Sequence, residues 1–468
     1  MSTVELDLAD IQGDILRAYG HSYDCTSYAF VRIDEEPARG RAWFAGLLDH
    51  VTTAQPWRDG KPLTTLNVAL TAAGLRALGV PAEMLRTFAV EFRIGMSARA
   101  KLLGDTGPSS PERWEPGLGT GDAHVLLTIN AQETKDHRRA LAKMRAAMKG
   151  SGVSVLFQQD AELLAGAREH FGFADGFAQP AIAGATDEKT AGGGIPEPGG
   201  RWRALAPGEF VLGYPDEDTL IDRQRRLPPA PADPLGSGGT YMVWRKLYQD
   251  VALWRRTIRR AGRRYGDEHR LAAKVVGRWP NGAPLSTHPN ADGGAFDAAA
   301  SGANDFRYED DLEGLRCPVG AHIRRSNPRD ALGHGGTLSM RHRMIRRGMP
   351  YGPPLPDPAD DDDGTDRGLD DDGTDRGLVF VSFQASIARQ FEGVQGPWLN
   401  DGNIFGLGHD KDYLLGDSGA GGHGKMTIQG KRPFFLAPQE NFVTTRGGEY
   451  LFVPGMAALR ALAEGMGD

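Results

Sequence analysis

Residues 124–158 decide the fold, and their sequence is HVLLTINAQETKDHRRALAKMRAAMKGSGVSVLFQ. The apolar run from His124 to Ile129 predicts a β-strand. The stretch from Lys135 to Lys149 has helical character and is ended by Gly150. Val153 to Gln158 then predicts another strand. The segment as a whole therefore predicts a strand, a helix and a second strand.

The residues before this segment supply the first half of the same unit. Tyr28 to Ile33 predicts a strand, and Ala38 to Val51 predicts an amphipathic helix. Leu66 to Leu70 predicts a strand that runs into a short helix, which stops at Gly79. The resulting order is β-α-β-β-α-β. Strands followed by helices that return antiparallel to one sheet form a ferredoxin-like α+β unit.

The second half of the chain repeats this pattern loosely. Strands are predicted at Tyr241–Arg245, Leu378–Phe383 and Glu449–Val453, with Arg341–Arg347 at an edge of the same sheet. A helix is expected after each of these three strands, and the helix after Leu378–Phe383 is expected to end near Trp398. We therefore predict an α+β protein with two ferredoxin-like domains, antiparallel sheets and peripheral helices, similar to a dimeric α+β barrel. The N-terminal domain is expected at residues 1–190 and the C-terminal domain at 191–468.

Two irregular regions interrupt the pattern. A Gly- and Pro-rich stretch from about Ala183 to Gly238 predicts loops. Further on, the nonapeptide DDDGTDRGL at Asp361–Leu369 recurs at Asp370–Leu378. We interpret it as a tandem duplication in an exposed loop, because lengthening a loop costs little free energy. A calcium-binding loop is the alternative, although the spacing lacks the terminal glutamate of a helix-loop-helix site.

The overall composition is that of an ordinary globular protein. The chain has 468 residues, of which 40% are hydrophobic and 25% charged. Its net charge of −7 gives no basic field that would favour nucleic acid or an anionic membrane. No run approaches the roughly 18 apolar residues needed to span a bilayer. The opening MSTVELDLADIQGDIL has no feature of an export signal, so a cytoplasmic location is expected.

The two cysteines, Cys25 and Cys317, indicate a protein that does not depend on disulfides. No CxxC or CxxCH motif is present, which argues against zinc ribbons, thioredoxin-like sites and covalent c-type haem attachment.

The first chemical constellation is FGFADGF at residues 171–177. It sets one carboxylate, Asp175, among three phenylalanines and two glycines. Glycine permits close backbone approach or positive φ. A carboxylate against an apolar wall is costly unless it has a partner or a task. Asp175 is therefore a candidate catalytic residue, and a turn with a solvated aspartate is the alternative.

The second constellation is CPVGAHIRRSNPR at residues 317–329. His322 follows small residues that would let a flat ring come close, and the arginines after it suit anionic groups. The histidines of the chain do not pair at HxxxH or HExxH spacing. That spacing argues against a His-rich zinc site and leaves a single axial-ligand role open. An ordinary core or surface histidine remains the alternative.

The third constellation is RHRMIRRGMPYG at residues 341–352. Strand alternation would put Arg341, Arg343 and Ile345 on one face and Arg346 on the other. A buried arginine needs an anion, or a negative charge that develops during a reaction, to offset its desolvation.

Together, these segments resemble those of the dye-decolourising (DyP-type) haem peroxidases. GFADG matches the GxxDG signature, CPVGAHIRRSNPR resembles the proximal-histidine segment, and RMIRRGMPYG resembles the distal-arginine segment. DIQGDIL, KVVGRWPNG, GLVFVSFQ and GEYLFVPG are also similar, so the likeness runs in family order from about residue 9 to 455. The long form without an export signal resembles the larger intracellular bacterial members.

The resemblance implies two ferredoxin-like domains with one haem b per chain, held mainly by the second domain. It implies a peroxidase that uses hydrogen peroxide to oxidise dyes, phenolics and other bulky aromatic reductants in one-electron steps, as a monomer or homodimer without nucleic-acid or membrane partners. The site residues it implies are His322 as proximal iron ligand, Asp175 as distal acid–base residue, Arg346 as distal arginine, Arg329 near a haem propionate, and Leu378 and Phe380 lining the distal pocket.

Several points stay open at this level. The carboxylate that would hold the other nitrogen of His322 has three candidates: Glu392, Asp401 and Asp410. Trp398 and Tyr351 are candidates for surface aromatics that pass electrons from dyes too bulky to reach a buried haem, with ordinary packing as the alternative. Aspartate is a weak base, so an acidic optimum is expected. A haem-binding protein without turnover and a divalent-metal hydrolase are the alternative functions.

Overall fold

A computed structural model of the chain describes residues 5–17, 19, 23–34, 36–185, 191–221, 228–297, 300, 302–356, 370–417 and 424–466.

The first half forms the predicted β-α-β-β-α-β unit. Its strands are β1 Cys25–Ile33, β2 Thr64–Leu70, β3 Val125–Ala131 and β4 Val153–Glu162. They pair antiparallel in the order β4-β1-β3-β2. The two helices that cross the sheet follow β1 and β3, as in the ferredoxin-like arrangement. The prediction for this half is confirmed.

The second half builds a similar sheet from strands that lie far apart in sequence. The strands that follow in the chain are β5 Ile195–Pro196, β6 Trp202–Arg203, β7 Thr240–Gln249, β8 Ile345–Arg346, β9 Met349–Tyr351, β10 Gly377–Gln384, β11 Met426–Ile428, β12 Phe434–Leu436 and β13 Val443–Val453. The main sheet has the order β13-β7-β10-β8, with β9 also paired to β10. If β8 and β9 count as one interrupted strand, this is the same antiparallel order as in the first half. β5 pairs with β6, and β11 with β12, in separate hairpins.

The two sheets are joined edge to edge and curl around one core. Phe452 of β13 pairs with Leu70 of β2, which makes the sheet continuous. The curl brings Phe30 of β1 against Trp244 of β7, with ring centroids 4.8 Å apart. Edge strand β4 approaches β9 on the other side. Among the described residues, no hydrogen-bonded pairing closes the barrel.

The helices cover the outer faces of the curled sheet. Among the described residues the α-helices are α1 Gly13–Leu16, α2 Pro37–Ala45, α3 Ala72–Ala77, α4 Ala82–Leu85, α5 Val90–Ile94, α6 Ala100–Leu103, α7 Thr134–Met148, α8 Glu217–Ile221, α9 Val251–Tyr265, α10 Glu268–Val276, α11 His322–Ser326, α12 Thr337–Met340 and α13 Met456–Glu464. Helix α9 is capped by Asp250, whose side chain accepts a hydrogen bond from Leu253 N at 2.7 Å, and it ends at left-handed Gly266.

Strand alternation divides the second sheet into two environments. In β10, Val379 and Val381 pack in the core inside the curl, together with Trp244. Leu378 and Phe380, which alternate with them, face outward into a cavity. The sheet therefore separates the barrel core from the candidate site.

Some predicted bounds are wrong. The edge strand expected at Arg341–Arg347 consists only of Ile345–Arg346. The helix expected to reach Val51 ends at Ala45. The helix expected to run to Trp398 is instead two π-helical segments, Ile387–Glu392 and Val394–Asn400, and the second contains Pro397, which cannot donate a backbone hydrogen bond.

Of the duplicated nonapeptide, the copy at Asp361–Leu369 lies outside the described residues. The copy at Asp370–Leu378 leads into β10. Cys25 and Cys317 are both buried and form no disulfide. In the described part of the chain, no helix combines the length and the apolar character that crossing a membrane requires.

Removing the indole at the centre of the curl should destabilise the protein. Trp244 is fully buried and packs against Tyr28, Phe30 and Phe157. We expect Trp244→Ala to lower the free energy of unfolding by about 3–5 kcal/mol, measured by urea unfolding followed by circular dichroism. Phe435→Ala is the control, because Phe435 is 56% exposed, and should change it by less than about 0.5 kcal/mol. Equal effects of the two variants would contradict this account of the core.

Candidate active site

A cavity of about 350 Å³ lies between the outer face of the second sheet and the segments that carry the three sequence motifs. Its size is within the range of small-molecule and cofactor sites, roughly 300–1,000 Å³. The six residues that the sequence singled out all line it: Asp175, His322, Arg329, Arg346, Leu378 and Phe380. Residues from four separate parts of the chain therefore meet at one place.

Asp175 is presented by a tight backbone turn. Gly172 and Gly176 have φ of 95° and 87°, which favour glycine and explain why both flank the carboxylate. Asp175 N donates to Ala167 O at 3.1 Å, which ties the turn to the end of the first unit. Its side chain is exposed to the cavity. A smaller cavity of about 90 Å³ is also lined by Asp175 and Arg346.

Arg346 is held against the turn that carries Asp175. Its backbone N–H donates to Gln179 Oε1 at 2.9 Å, and its guanidinium donates to Phe177 O at 3.0 Å. Burial lowers the pKa of Arg346, and the negative charge of Asp175 partly offsets this effect. The acid and the arginine therefore form one electrostatically coupled pair on one side of the cavity.

His322 is the first residue of α11 and is held by a carboxylate. Its Nδ1 lies 3.0 Å from Oδ2 of the buried Asp412. The other oxygen of Asp412 accepts hydrogen bonds from Leu414 N at 3.0 Å and Leu415 N at 2.7 Å. Burial lowers the pKa of His322, but the charge and hydrogen bond of Asp412 outweigh burial, so the pKa is raised. With Nδ1 engaged, Nε2 is the ring nitrogen that remains for a ligand in the cavity.

None of the three carboxylates suggested from the sequence holds this imidazole. Glu392 pairs with Arg99 at 2.7 Å, and Asp410 pairs with Lys425 at 3.0 Å. Asp401 accepts a backbone hydrogen bond within its own loop. These candidates are wrong. The spacing along the chain carries no signal for the true partner, because it lies 90 residues from the histidine.

Four arginines line the cavity and donate to neutral oxygens, and three of them, Arg278, Arg329 and Arg343, are buried. Arg343 donates to Ala178 O at 2.6 Å, Arg329 to Phe306 O at 2.8 Å, and Arg278 to Gly282 O at 2.7 Å, while Arg346 is held as described above. Within the described ranges, none of the four has a carboxylate at ion-pair distance. Burial lowers the pKa of Arg278 and of Arg329 to about 10. A ligand that brings two negative charges would offset this desolvation.

Two expectations from the sequence need correction here. Alternation was expected to separate Arg343 from Arg346, yet both line the cavity, because the strand begins only at Ile345. Trp398 and Tyr351 were suggested as surface aromatics, yet they are only 3% and 1% exposed. Neither ring can touch a bulky molecule at the surface, so that role is wrong for both in this structure.

The other walls of the cavity are apolar and suit a flat ligand. Leu378 and Phe380 reach it from β10, and Phe171 and Phe173 from the Asp175 segment. Within the part of the chain that is described, no group of three or more His, Cys, Asp or Glu side chains is arranged to hold a metal ion. The divalent-metal hydrolase considered above therefore has no ligand set there.

Two family models match the chain. "DyP dimeric alpha+beta barrel domain" covers residues 10–162, and "Dyp-type peroxidase, C-terminal" covers residues 219–404. The multifunctional dye peroxidase DyP2 of Amycolatopsis sp. is 31% identical, over 97% of this chain and 96% of its own length. Dye-decolorizing peroxidase msp1 of Mycetinis scorodonius is 28% identical, over 98% of this chain and 88% of its own length.

Solved structures show the same likeness. A dye-decolorizing peroxidase in complex with 2,6-dimethoxyphenol has a TM-score of 0.80 and 25% identity, covering 98% of this chain and 100% of that chain. A fungal DyP-type peroxidase from Auricularia auricula-judae gives the same values. The similarity covers nearly the whole chain and therefore includes both ferredoxin-like units.

Proposed function

Since this chain belongs to the dye-decolourising peroxidase family and is a haem peroxidase, we propose that it binds one haem b per chain and uses hydrogen peroxide to oxidise dyes and phenolic compounds in one-electron steps. The observation that carries the proposal is the convergence of Asp175, His322 and Arg346 on one cavity. A haem-binding protein without turnover would need His322 but not the coupled pair of Asp175 and Arg346.

The residues around the cavity fit a haem. Nε2 of His322 would bind the iron, because Nδ1 is engaged by Asp412. Arg329 would bind a propionate, and Arg278 and Arg343 add positive charge that suits the second carboxylate. The apolar walls suit the porphyrin faces. This proposal keeps the haem mainly in the C-terminal domain, with the domains divided near residue 190.

When bound, a haem would supply the iron, which would take up the two oxidising equivalents of hydrogen peroxide and pass them to the reductants. Asp175 takes a proton from one oxygen of hydrogen peroxide and returns it to the other, so that the departing oxygen leaves as water. The guanidinium of Arg346 stabilises the negative charge that develops on that oxygen. Asp412 keeps the imidazole oriented and polarised. Each residue thus performs one proton-transfer, charge-stabilising or orienting task.

The reductants we propose are aromatic. The solved relative that binds 2,6-dimethoxyphenol supports a phenolic substrate class. We further propose a monomer or homodimer that works in the cytoplasm without nucleic-acid or membrane partners.

Replacing either member of the coupled pair should abolish most of the turnover. We expect Asp175→Asn to lower kcat by about 10²–10⁴-fold and Arg346→Leu by about 10²–10³-fold, with the haem absorption band retained. The measurement is peroxide-dependent bleaching of an anthraquinone dye.

Asp122→Asn and Arg32→Leu are the matched controls, because these residues form an exposed ion pair at 3.2 Å in the first unit. They should retain full activity. Wild-type protein that binds haem but bleaches no dye would overturn the proposed function in favour of a haem carrier.

The carboxylate behind His322 should tune haem binding. We expect Asp412→Asn to weaken haem affinity or activity by about 10–100-fold, because the charge that polarises the imidazole is lost. Haem is titrated into haem-free protein and followed by absorption. Asp401→Asn removes a nearby carboxylate that does not contact the imidazole and should bind haem like wild type. Identical titrations for all three proteins would contradict the role of Asp412.

A further inference from the structure

Glu169 is one of three further acidic residues, with Asp105 and Asp417, that line the same cavity as Asp175. Glu169 lies six residues earlier in the same segment and also faces the cavity. Its two oxygens accept hydrogen bonds from Phe171 N at 2.8 Å and Phe173 N at 2.9 Å. A third hydrogen bond comes from Gln249 Nε2 at 2.7 Å, at the end of β7. Neither the sequence motifs nor the proposed mechanism uses this carboxylate.

Gln249 lets this carboxylate exist with or without a proton. In the structure its Nε2 donates to Glu169, and its Oε1 is buried without a hydrogen-bond partner. Rotation of the amide by 180° would turn Oε1 towards Glu169, where it would accept the O–H of a protonated carboxyl group. Glu169 can therefore be protonated or deprotonated with only a rotation of the Gln249 side chain, and the backbone need not change.

The surroundings of Glu169 bring its pKa close to neutrality. Burial raises the pKa of Glu169 to about 7, although its hydrogen bonds lower it, and the negative charge of Asp175 raises it further. The group facing it from β7 is the neutral Gln249. The neighbouring His170 directs its Nε2 to Tyr351 O at 2.9 Å. Below about pH 7, Glu169 thus carries a proton beside Asp175.

The overall reaction needs such a proton. Reduction of hydrogen peroxide to two water molecules consumes two electrons and two protons, and two phenolic donors supply the electrons. Asp175 only moves a proton from one peroxide oxygen to the other, so the two consumed protons must enter the cavity separately. Glu169 is a protonatable group that lines the same cavity as Asp175 and feels its charge, so it is placed to supply them.

We propose that Glu169, together with Gln249, is the relay that supplies the consumed protons to the cavity through Asp175. The inference rests on the proposed function. In each reductive step the O–H bond of Glu169 breaks, the proton passes through Asp175 to the oxygen that is being reduced, and the electron comes from the aromatic donor. Glu169 then regains a proton from solvent. It acts through Asp175 and does not touch peroxide.

The first test needs no turnover. Haem-free wild-type protein should show the infrared carbonyl band of a protonated carboxyl group that disappears as the pH rises through about 7. Glu169→Gln should lose the part of this band that comes from Glu169, while buried Asp14, whose pKa burial also raises to about 7, keeps its own part. Asp175→Asn should shift the loss of the Glu169 part to lower pH, because a neighbouring negative charge has been removed. A band that is identical in Glu169→Gln, or unmoved in Asp175→Asn, would overturn the inference.

The second test is the pH profile of the haem-loaded enzyme. Wild-type kcat should fall about tenfold per pH unit above pH 7, following the protonated fraction of Glu169. Glu169→Gln resembles the protonated form in shape, so it should fold, keep the KM for the dye, and turn over about 10²-fold more slowly with no break near pH 7. The same break in Glu169→Gln as in wild type would overturn the inference.

Glu449→Gln is the matched control. Glu449 is a buried carboxyl group whose pKa burial raises to about 8, and it accepts a hydrogen bond from Gly119 N at 2.6 Å, yet it does not line the cavity. It should leave kcat and the break near pH 7 unchanged. If this control abolished the break, the inference would be overturned. If wild-type protein bleached no dye at all, the proposed function would fail, whereas the infrared test would still decide whether Glu169 carries a proton that responds to the charge of Asp175.

Discussion

Hydrogen bonds from buried guanidinium groups to backbone carbonyl oxygens hold the cavity together. Arg343 and Arg346 both donate to Ala178 O, three residues after Asp175. Ala178 has a φ of 63°, a left-handed conformation that costs a non-glycine residue of the order of 1–3 kcal/mol. Two charged donors on one carbonyl offset that cost, since hydrogen bonds to charged groups are the stronger kind. The position of Asp175 therefore depends on arginines that come from the second half of the chain.

The fold could be predicted from the sequence where the period of the hydrophobic residues identifies each element and the order of the elements along the chain matches a known unit. The β-α-β-β-α-β pattern of the first unit and the main strands of the second follow from periods of two and 3.6 residues. The joining of the two sheets through Phe452 and Leu70 was not predictable, because a single edge pair leaves no periodic signal. The strand predicted to begin at Arg341 was wrong for a related reason, since it begins only at Ile345. The alternating residues before Ile345 lie in a turn, where arginine hydrogen bonds to distant carbonyls override strand propensity.

The site was predictable where one short motif carries each residue. Asp175, His322 and Arg346 each stand in a motif, so their convergence followed from the resemblance. Asp412 was not predicted as the partner of His322, because its contact with the imidazole depends on a loop that returns to α11 from 90 residues away. Glu169 was not predicted as a functional residue, for a different reason. Its sequence neighbours show only that it precedes the motif, and its importance depends on Gln249, which arrives from another strand.

The second copy of the acidic repeat is fixed to the rest of the protein just before the pocket. Arg376, within the second copy, is 1% exposed and forms ion pairs with Asp371 and Asp372. Its Nε also donates to Pro353 O at 2.9 Å, which ties the copy to the segment after β9. Doubling the length of a flexible loop adds only about 0.6 kcal/mol of closure entropy. These bonds fix the chain just before Leu378 and so hold the register of β10, on which the faces of Leu378 and Phe380 depend.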